Sequence, residues 1–558
     1  MKKVKTLIAI ILTLAVVFAV VACNNGGTTT SQPPSSSASG DSSPAAGGDS
    51  TPAGSGEAEK PWVSFTIGNS AWLGIFLAGL NPSDSMTACS AVFDTILYVD
   101  RTTREPTSRV LKDWGFKDDL TYYMEIRDDV YFSNGDHATA EDVYFSYWNH
   151  PERGSNWLQN HGIIWEESGP VSEYRVEFKL EKHYPAFPER GIYLVDKKWS
   201  EEVGWDSMEW YNPVGSGPFY VYEYVNDSHI ILRTRESIGQ TWWYKDIAGP
   251  IYVDEWIVKY YPDPSALFMA LQTGEVDYAD ISSNDYGRWV DQGEDPNYTC
   301  VLNMAGSVDF FMFGFEDSDL WFNKNLREAV AYGINWQQIG QVAAGNAFIP
   351  ARSIASQVSA DFVDLGIREF DLDRAKALME GEGYGPSNHL SLYTVTMTGD
   401  FYRNAFEAIQ YFMKDFYIDL EVDFADNAGA IAAWLAPGNT DCGIWMHVGG
   451  STTGDLGWTL NEIRPNRGLT WSGIHDDAVI ALYDIMTGSD DEAAQHQAAI
   501  DIQHMIYDNY YYIPFAEWTV SYGWRNSSFS EEQVTQFRGG SNMVNIGAWS
   551  YLNEGMWG

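Results

Sequence analysis

Apolar residues are distributed in three ways along this chain, and each predicts a different kind of segment. The first is an unbroken run, Thr6 to Ala22, preceded by Lys2, Lys3 and Lys5 and stopped at Cys23 in Val20-Val21-Ala22-Cys23. A basic start, a short apolar stretch and small residues at its end predict a cleaved export signal over residues 1–22. The run is slightly short for a membrane span, which needs about 20 apolar residues. The second is the near absence of apolar residues from Asn24 to Lys60, which is almost wholly Gly, Ser, Thr, Pro, Ala and Asn. Such a segment cannot bury a core, so residues 23–60 are predicted to be a flexible tether.

The third is periodic. From Thr121 to Val130, Tyr122, Met124 and Ile126 alternate with Tyr123, Glu125 and Arg127, and Val176, Phe178 and Leu180 alternate with Glu177 and Lys179. A period of two predicts half-buried strands. Between them Thr139, with Asp142 three residues on, is an N-terminal capping pattern that opens a helix through Val143, Tyr144 and Tyr147. Later the period lengthens: Leu326, Val330 and Ile334 share one helical face, and Asp371 or Asp373 caps a helix through Ala375, Leu378 and Met379 that stops at Gly381 and Gly383. Asn134-Gly135 is a hairpin turn signal, and the glycines flanking Ser216 predict a tight turn beside Pro218. Helices and strands alternate through the second half, which predicts α/β layers on a mixed sheet.

The formal charge is −43 at pH 7, and the export signal takes three lysines and no acid with it. Nucleic acid is excluded as a partner, because phosphate backbones require clustered Lys and Arg. Some 500 residues beyond the tether are too many for one hydrophobic core, so two lobes or more are expected. Cys89, Cys300 and Cys442 show neither CxxC nor metal-ligand spacing, and structural thiols are the default. One disulfide is compatible with export, with Cys300 and Cys442 as its expected partners. No cofactor or metal site is expected. Neither HExxH nor GxSxG occurs, and Gly449 to Gly454 has Asp455 where a phosphate loop needs lysine. A secreted hydrolase working through an unrecognised carboxylate pair is the alternative from another class, and a surface sensor that binds without transport is a third.

Ala91 to Trp148 contains Phe93-Asp94-Thr95-Ile96-Leu97, Leu111-Lys112-Asp113-Trp114, Phe132-Ser133-Asn134-Gly135-Asp136 and Thr139-Ala140-Glu141-Asp142-Val143. It is followed by Asn212 to Phe219, Leu271 to Asp277, Asn325 to Asn335, Asp373 to Leu378 and Tyr512-Ile513-Pro514-Phe515. In this order, over nearly all of residues 62 to 530, the blocks resemble the family 5 solute-binding proteins of ABC importers, the group of oligopeptide- and dipeptide-binding proteins. Val-Val-Ala-Cys resembles a bacterial lipoprotein box, which implies a lipid on Cys23 as the attachment to the outer face of the cell membrane.

The resemblance implies a two-lobed, periplasmic-binding-protein-like α/β fold of class II, the large type with an extra subdomain in lobe I. Lobe I would comprise residues 62–303 and 517–558, lobe II residues 304–516, with the ligand cleft between them. It implies a monomer that delivers peptides to ABC permease subunits, with oligosaccharides as the alternative solute and no catalysis. Peptide-binding members carry an amine-pairing aspartate in an Asp-Tyr-x-x-Pro type sequence after the strand that corresponds to Ile444–Val448. Here Val448 to Thr452 stands there, and the nearest acid is Asp455. The chain has 23 Trp and 33 Tyr, and a few such rings in a cleft stack on sugars or side chains. The expected ligand contacts are Trp72, Phe401, Tyr402, Trp445, His447, Asp455, Trp458 and Trp518, with Trp445, His447, Tyr402 and Trp518 lining a largely neutral, aromatic pocket.

Overall fold

The computed structural model describes residues 62–70, 88–89, 91–99, 106–152, 162–183, 187, 192–205, 207–238, 251–293, 295–315, 319–425, 427–435, 440–446, 456, 460 and 473–538. The expected export signal, the tether, and Cys23, Trp72, His447, Asp455 and Trp458 lie outside the described residues. All described residues belong to one unit, Pro61–Gly558.

The first half is built from strands. After β1 (Ser64–Asn69), β2 (Tyr98–Val99) and β3 (Pro106–Thr107) come β4 (Leu111–Asp118), β5 (Thr121–Ile126), helix α1 (Ala140–Glu152), β6 (Gly169–Ser172) and β7 (Arg175–Lys179). Strands β4–β7 form a four-stranded sheet in the order β4-β5-β7-β6. The predicted alternation is seen in β5, where Tyr122, Met124 and Ile126 are buried. This strand stops at Ile126, short of the expected Val130, and just beyond it Arg127 and Asp129 close on each other through two side-chain hydrogen bonds of 2.8 and 2.6 Å. Helix α1 begins as predicted, with the Thr139 amide and hydroxyl donating to Asp142 Oδ2 at 2.8 and 3.0 Å. At the hairpin signal, Gly135 has φ +89°, a conformation that glycine adopts without steric cost.

The glycines around Ser216 act differently from the predicted tight turn. Neither has a positive φ. A Cβ on Gly215 would lie 2.1 Å from the Val92 carbonyl oxygen, and one on Gly217 would lie 2.5 Å from that of Ala91. What they permit is close approach of two backbone segments. Ser216 Oγ fastens that contact, accepting from the Asp94 amide at 2.9 Å and donating to the Leu194 carbonyl at 3.0 Å.

The chain continues through α2 (Lys197–Val203), β8 (Phe219–Val225), β9 (His229–Thr234), β10 (Glu255–Tyr260), α3 (Pro264–Thr273), β11 (Tyr278–Ile281), α4 (Ser283–Gln292) and the long β12 (Tyr298–Phe313). The second half comprises α5 (Lys324–Gly333), α6 (Trp336–Ala344), α7 (Leu372–Gly381), β13 (Leu390–Met397), α8 (Asp400–Asp415), β14 (Ile418–Ala425), α9 (Asn427–Leu435), β15 (Cys442–Met446), α10 (Asp477–Gly488), α11 (Glu492–Asp508), β16 (Tyr512–Arg525) and α12 (Glu531–Arg538). Of the two candidate caps for α7, Asp371 is the one used, accepting from the Arg374 amide at 2.9 Å.

An eight-stranded sheet in the order β15-β12-β16-β11-β1-β10-β9-β8 links the two halves. It is mixed, as predicted: β1 is parallel to β10 and β11, and the remaining pairs are antiparallel. Strands β12 and β16 pair from Tyr298 opposite Arg525 to Met312 opposite Tyr512. Pro514, which has no amide to give a ladder, sits where the register shifts between Asp309 and Phe310.

Five apolar clusters are buried against these elements. Three take their buried members from residues 67–300 and 522–534. The other two take theirs from residues 308–516. Strand β12 feeds both of the latter by its period of two: Val308, Phe310 and Met312 enter one, Phe311 and Phe313 the other.

The expected disulfide is absent. Cys89, Cys300 and Cys442 are buried free thiols. Cys300 lies opposite Gly523 near the start of β12, whereas Cys442 lies opposite Phe313 at its end. That separation is roughly 40 Å at about 3.3 Å per strand residue, and a disulfide needs Cα atoms within about 7 Å.

Candidate functional site

From β13 the chain passes through α8 to β14 and through α9 to β15, a βαβαβ succession in which β13 and β14 are parallel. In open α/β sheets ligands bind outside the carboxyl ends of the strands. Here those ends are Met397, Ala425 and Met446, and the candidate site is what stands beside them.

Helix α8 starts three residues past the end of β13 and carries two of the expected ligand contacts in its first turn. Phe401 is half-buried, and Tyr402 is 7% exposed. Their rings meet edge to face at 5.4 Å, and Phe401 stacks on Phe515 of β16 at 6.5 Å. Burial, and then the charge of Asp309, pushes the Tyr402 hydroxyl pKa up. Trp445 occupies β15 opposite Phe310 of β12.

Trp518 reaches this edge through a bulge. The ladder holds Met304 opposite Thr519 and Val308 opposite Glu517, so Ala305, Gly306 and Ser307 together face Trp518. Gly306, with φ +79°, makes the bulge feasible. Bulges re-aim side chains and concentrate beside functional sites. Trp518 is half-buried, and its ring stacks on no other ring among the described residues.

Two acids not anticipated from the sequence stand on the same strands. Asp309, opposite Met446 on one side and Ala516 on the other, is 2% exposed. Burial first, and the neighbouring Glu517 charge second, push its pKa well above the usual carboxylate range. Glu517 is equally buried but well held: the Ser356 hydroxyl donates to it at 2.6 Å, and the Gln357 amide and side chain donate at 3.1 and 3.2 Å. Its pKa is also raised by burial, with those hydrogen bonds opposing the shift. The available signal was an acid inside an otherwise apolar strand run, as in Val308-Asp309-Phe310-Phe311, since lone acids are rarely buried.

Phe401 and Tyr402 are thus brought together beside Asp309, while Trp445 and Trp518 lie on the two strands that flank β12. The edge combines aromatic side chains with two buried carboxyl groups whose pKa values burial raises. Among the described residues no group of three His, Cys, Asp or Glu side chains is placed to hold a metal ion. No helix among them is long and apolar enough to cross a membrane.

Comparison with known proteins places this geometry in context. The family model for bacterial extracellular solute-binding proteins, family 5 middle, matches residues 105–466. The oligopeptide-binding protein AppA of Bacillus subtilis is 24% identical over 288 residues, covering 48% of this chain and 50% of that protein. The chain spans about half the length of the curated relatives it matches. Among solved structures, DppA of Helicobacter pylori in complex with the peptide STSA superposes with a TM-score of 0.70 at 18% identity, covering 88% of this chain and 98% of that one. B. subtilis AppA in complex with a nonapeptide gives 0.66 at 18% identity, covering 84% and 95%. The fold they share with this chain is two-lobed.

Proposed function

The chain belongs to the bacterial extracellular solute-binding proteins of family 5, and from that membership we propose that it is the solute-binding component of an ABC importer for peptides. The observation that carries this reading is the family match over residues 105–466, joined to an aromatic, acid-bearing edge at the carboxyl ends of β13, β14 and β15. The relatives named above bind peptides, and the half-buried Trp518 and Phe401 offer rings on which side chains can stack. The protein binds and releases its solute without chemical change. Lobe I comprises residues 62–303 and 517–558 and lobe II residues 304–516, a division supported by the way the buried clusters separate along the sequence. Strands β12 and β16 cross between the lobes near Asn303–Val308 and Phe515–Val520 and act as the hinge, in the closing motion that periplasmic binding proteins make around their ligands.

The mature chain is a monomer held at the outer face of the membrane by a lipid on Cys23, with residues 23–60 as its tether and an ABC permease as its partner. Native mass spectrometry of the purified protein tests the solute class. A co-purified peptide is the expected result, and a co-purified oligosaccharide would replace it with the other solute class. Replacing Cys23 with Ala tests the anchor: lipid labelling should disappear, and unchanged labelling would rule the anchor out.

A further inference from the structure

His183 and Lys182 lie just past the end of β7, and both reach α10 and the turn that follows it. His183 Nε2 is 2.7 Å from Asp490 Oδ1, and Lys182 Nζ is 3.4 Å from Asp484 Oδ1. A Cβ on Gly488, the last residue of α10, would lie 3.9 Å from the His183 carbonyl oxygen, so the two stretches of chain touch here. Each side belongs to a different core. Phe116, whose ring centre is 4.4 Å from that of His183, packs on a cluster with buried members from Ile96 to Leu194, whereas Val479, Tyr483 and Met486 of α10 belong to one with buried members from Val308 to Tyr512. What joins the two cores at this point is polar, as in interfaces between domains that move.

The geometry fixes the charge that this contact requires. His183 Nδ1 is 2.8 Å from the Asp119 carbonyl oxygen, and a carbonyl oxygen, like a carboxylate oxygen, can only accept a hydrogen bond. A neutral imidazole has one N–H and serves one of the two acceptors, whereas the imidazolium serves both. On the elements packed around the ring, Lys117 pairs with Glu177, Lys179 with Asp118 and Lys182 with Asp484, while Asp119 and Asp490 are the charges that act on it. Burial lowers the His183 pKa, and the contacts to Asp119 and Asp490 raise it by more. Lys182 and Asp484 add an exposed pair, which salt screens.

We propose that His183 and Lys182, with Asp490 and Asp484, form a proton-dependent latch that holds the two lobes closed. The inference rests on the division into lobes joined by β12 and β16, and it is independent of which solute the cleft takes. With the imidazolium in place both ring nitrogens are bonded, and the closed form is favoured. When His183 gives a proton to solvent, one of the two bonds is lost together with the charge attraction to Asp490. Opening removes Asp490 from the ring, so the His183 pKa is higher in the closed form than in the open one. The latch is therefore complete below the open-form value and is lost as pH rises through the closed-form value. A solute that binds the closed form is held less tightly as the closed fraction falls, so lower pH favours capture and higher pH favours release.

The test uses residues 23–558 carrying Cys23→Ala, with donor and acceptor dyes on the thiols of Glu173→Cys and Gln497→Cys, exposed positions before β7 and on α11. The native thiols are buried. Energy transfer should fall between about pH 5.5 and about pH 9, on either side of the range in which histidine titrates. The closed-to-open ratio should drop about 1.4- to 5-fold, the equivalent of losing one exposed ion pair. His183→Gln and Asp490→Asn should each abolish that pH response, and Asp484→Asn should lower transfer at every pH without abolishing it. Circular dichroism identifies the variants that fold, and the first comparison needs none of them. Transfer that responds to a library of tri- to pentapeptides but not to pH overturns the latch while leaving the two-lobed reading in place. Transfer that responds to neither overturns both. A pH response that persists in folded His183→Gln and Asp490→Asn proteins also overturns the latch.

Discussion

His183 Nε2 lies 2.7 Å from Asp490 Oδ1, across 307 positions of sequence. The other ring nitrogen is 2.8 Å from the Asp119 carbonyl oxygen, and Lys182 Nζ is 3.4 Å from Asp484 Oδ1. Together these contacts tie the end of β7 to α10 and the turn before α11. Burial pulls the His183 pKa down, but the Asp119 carbonyl and the Asp490 carboxylate outweigh it, and the net shift is upward from 6.5. With the folded value above the unfolded one, the contact stabilises fully below pH 6.5 and is lost as pH rises through the raised value. Asp490→Asn should lower the His183 titration midpoint measured by NMR and weaken the tie by about 0.2–1 kcal/mol, the range for solvent-exposed pairs. An unmoved midpoint would show that Asp490 has no part in it.

Gly215→Ala should destabilise the first half by about 1–3 kcal/mol, because the added methyl meets backbone and cannot be relieved by a rotamer change. The Val92 carbonyl oxygen would stand 2.1 Å from the new Cβ. Gly135→Ala, where nothing lies within 4 Å, should instead show only the cost of its positive φ. Urea denaturation of both variants separates crowding from backbone strain, and equal losses would discard the close-approach explanation.

Asp371→Ala should cost about 0.5–2 kcal/mol through the lost cap of α7, since its carboxylate accepts from the Arg374 amide. Asp373→Ala, inside the first turn, should cost less. Thermal unfolding of the two variants decides between them, and the reverse ranking would move the start of the helix.

The thiols should be inert in the folded protein. Burial pushes the Cys300 pKa up to about 12, and that of Cys442 well above its ordinary value, which leaves almost no thiolate to react at neutral pH. A chain beginning after the tether should therefore take up little alkylating agent when native, and three equivalents when denatured without reductant. One equivalent instead of three would restore the disulfide.

If Trp518 stacks on the solute, Trp518→Ala should weaken binding of a retained peptide by about 1–3 kcal/mol, as expected for a buried aromatic contact, with thermal stability little changed. Undiminished affinity in calorimetry would remove this ring from the site.

What the sequence determined by itself is local. The alternation in β5 and β7, the Thr139–Asp142 cap, the Leu326–Val330–Ile334 face and the Asn134-Gly135 turn all follow from contacts within a few residues, so periodicity and capping chemistry predict them. Family membership was legible too, because the order of short blocks survives in a single chain. The tertiary structure decided the rest. Only the pairing of β12 with β15 and β16 reveals the bulge opposite Trp518, the separation of Cys300 from Cys442 and the burial of Asp309 between Met446 and Ala516. In the sequence Asp309 is one acid among 77 Asp and Glu residues. A carboxyl group acquires its protonation state from the dielectric and the neighbours around it, and here strands distant in sequence bring those neighbours together.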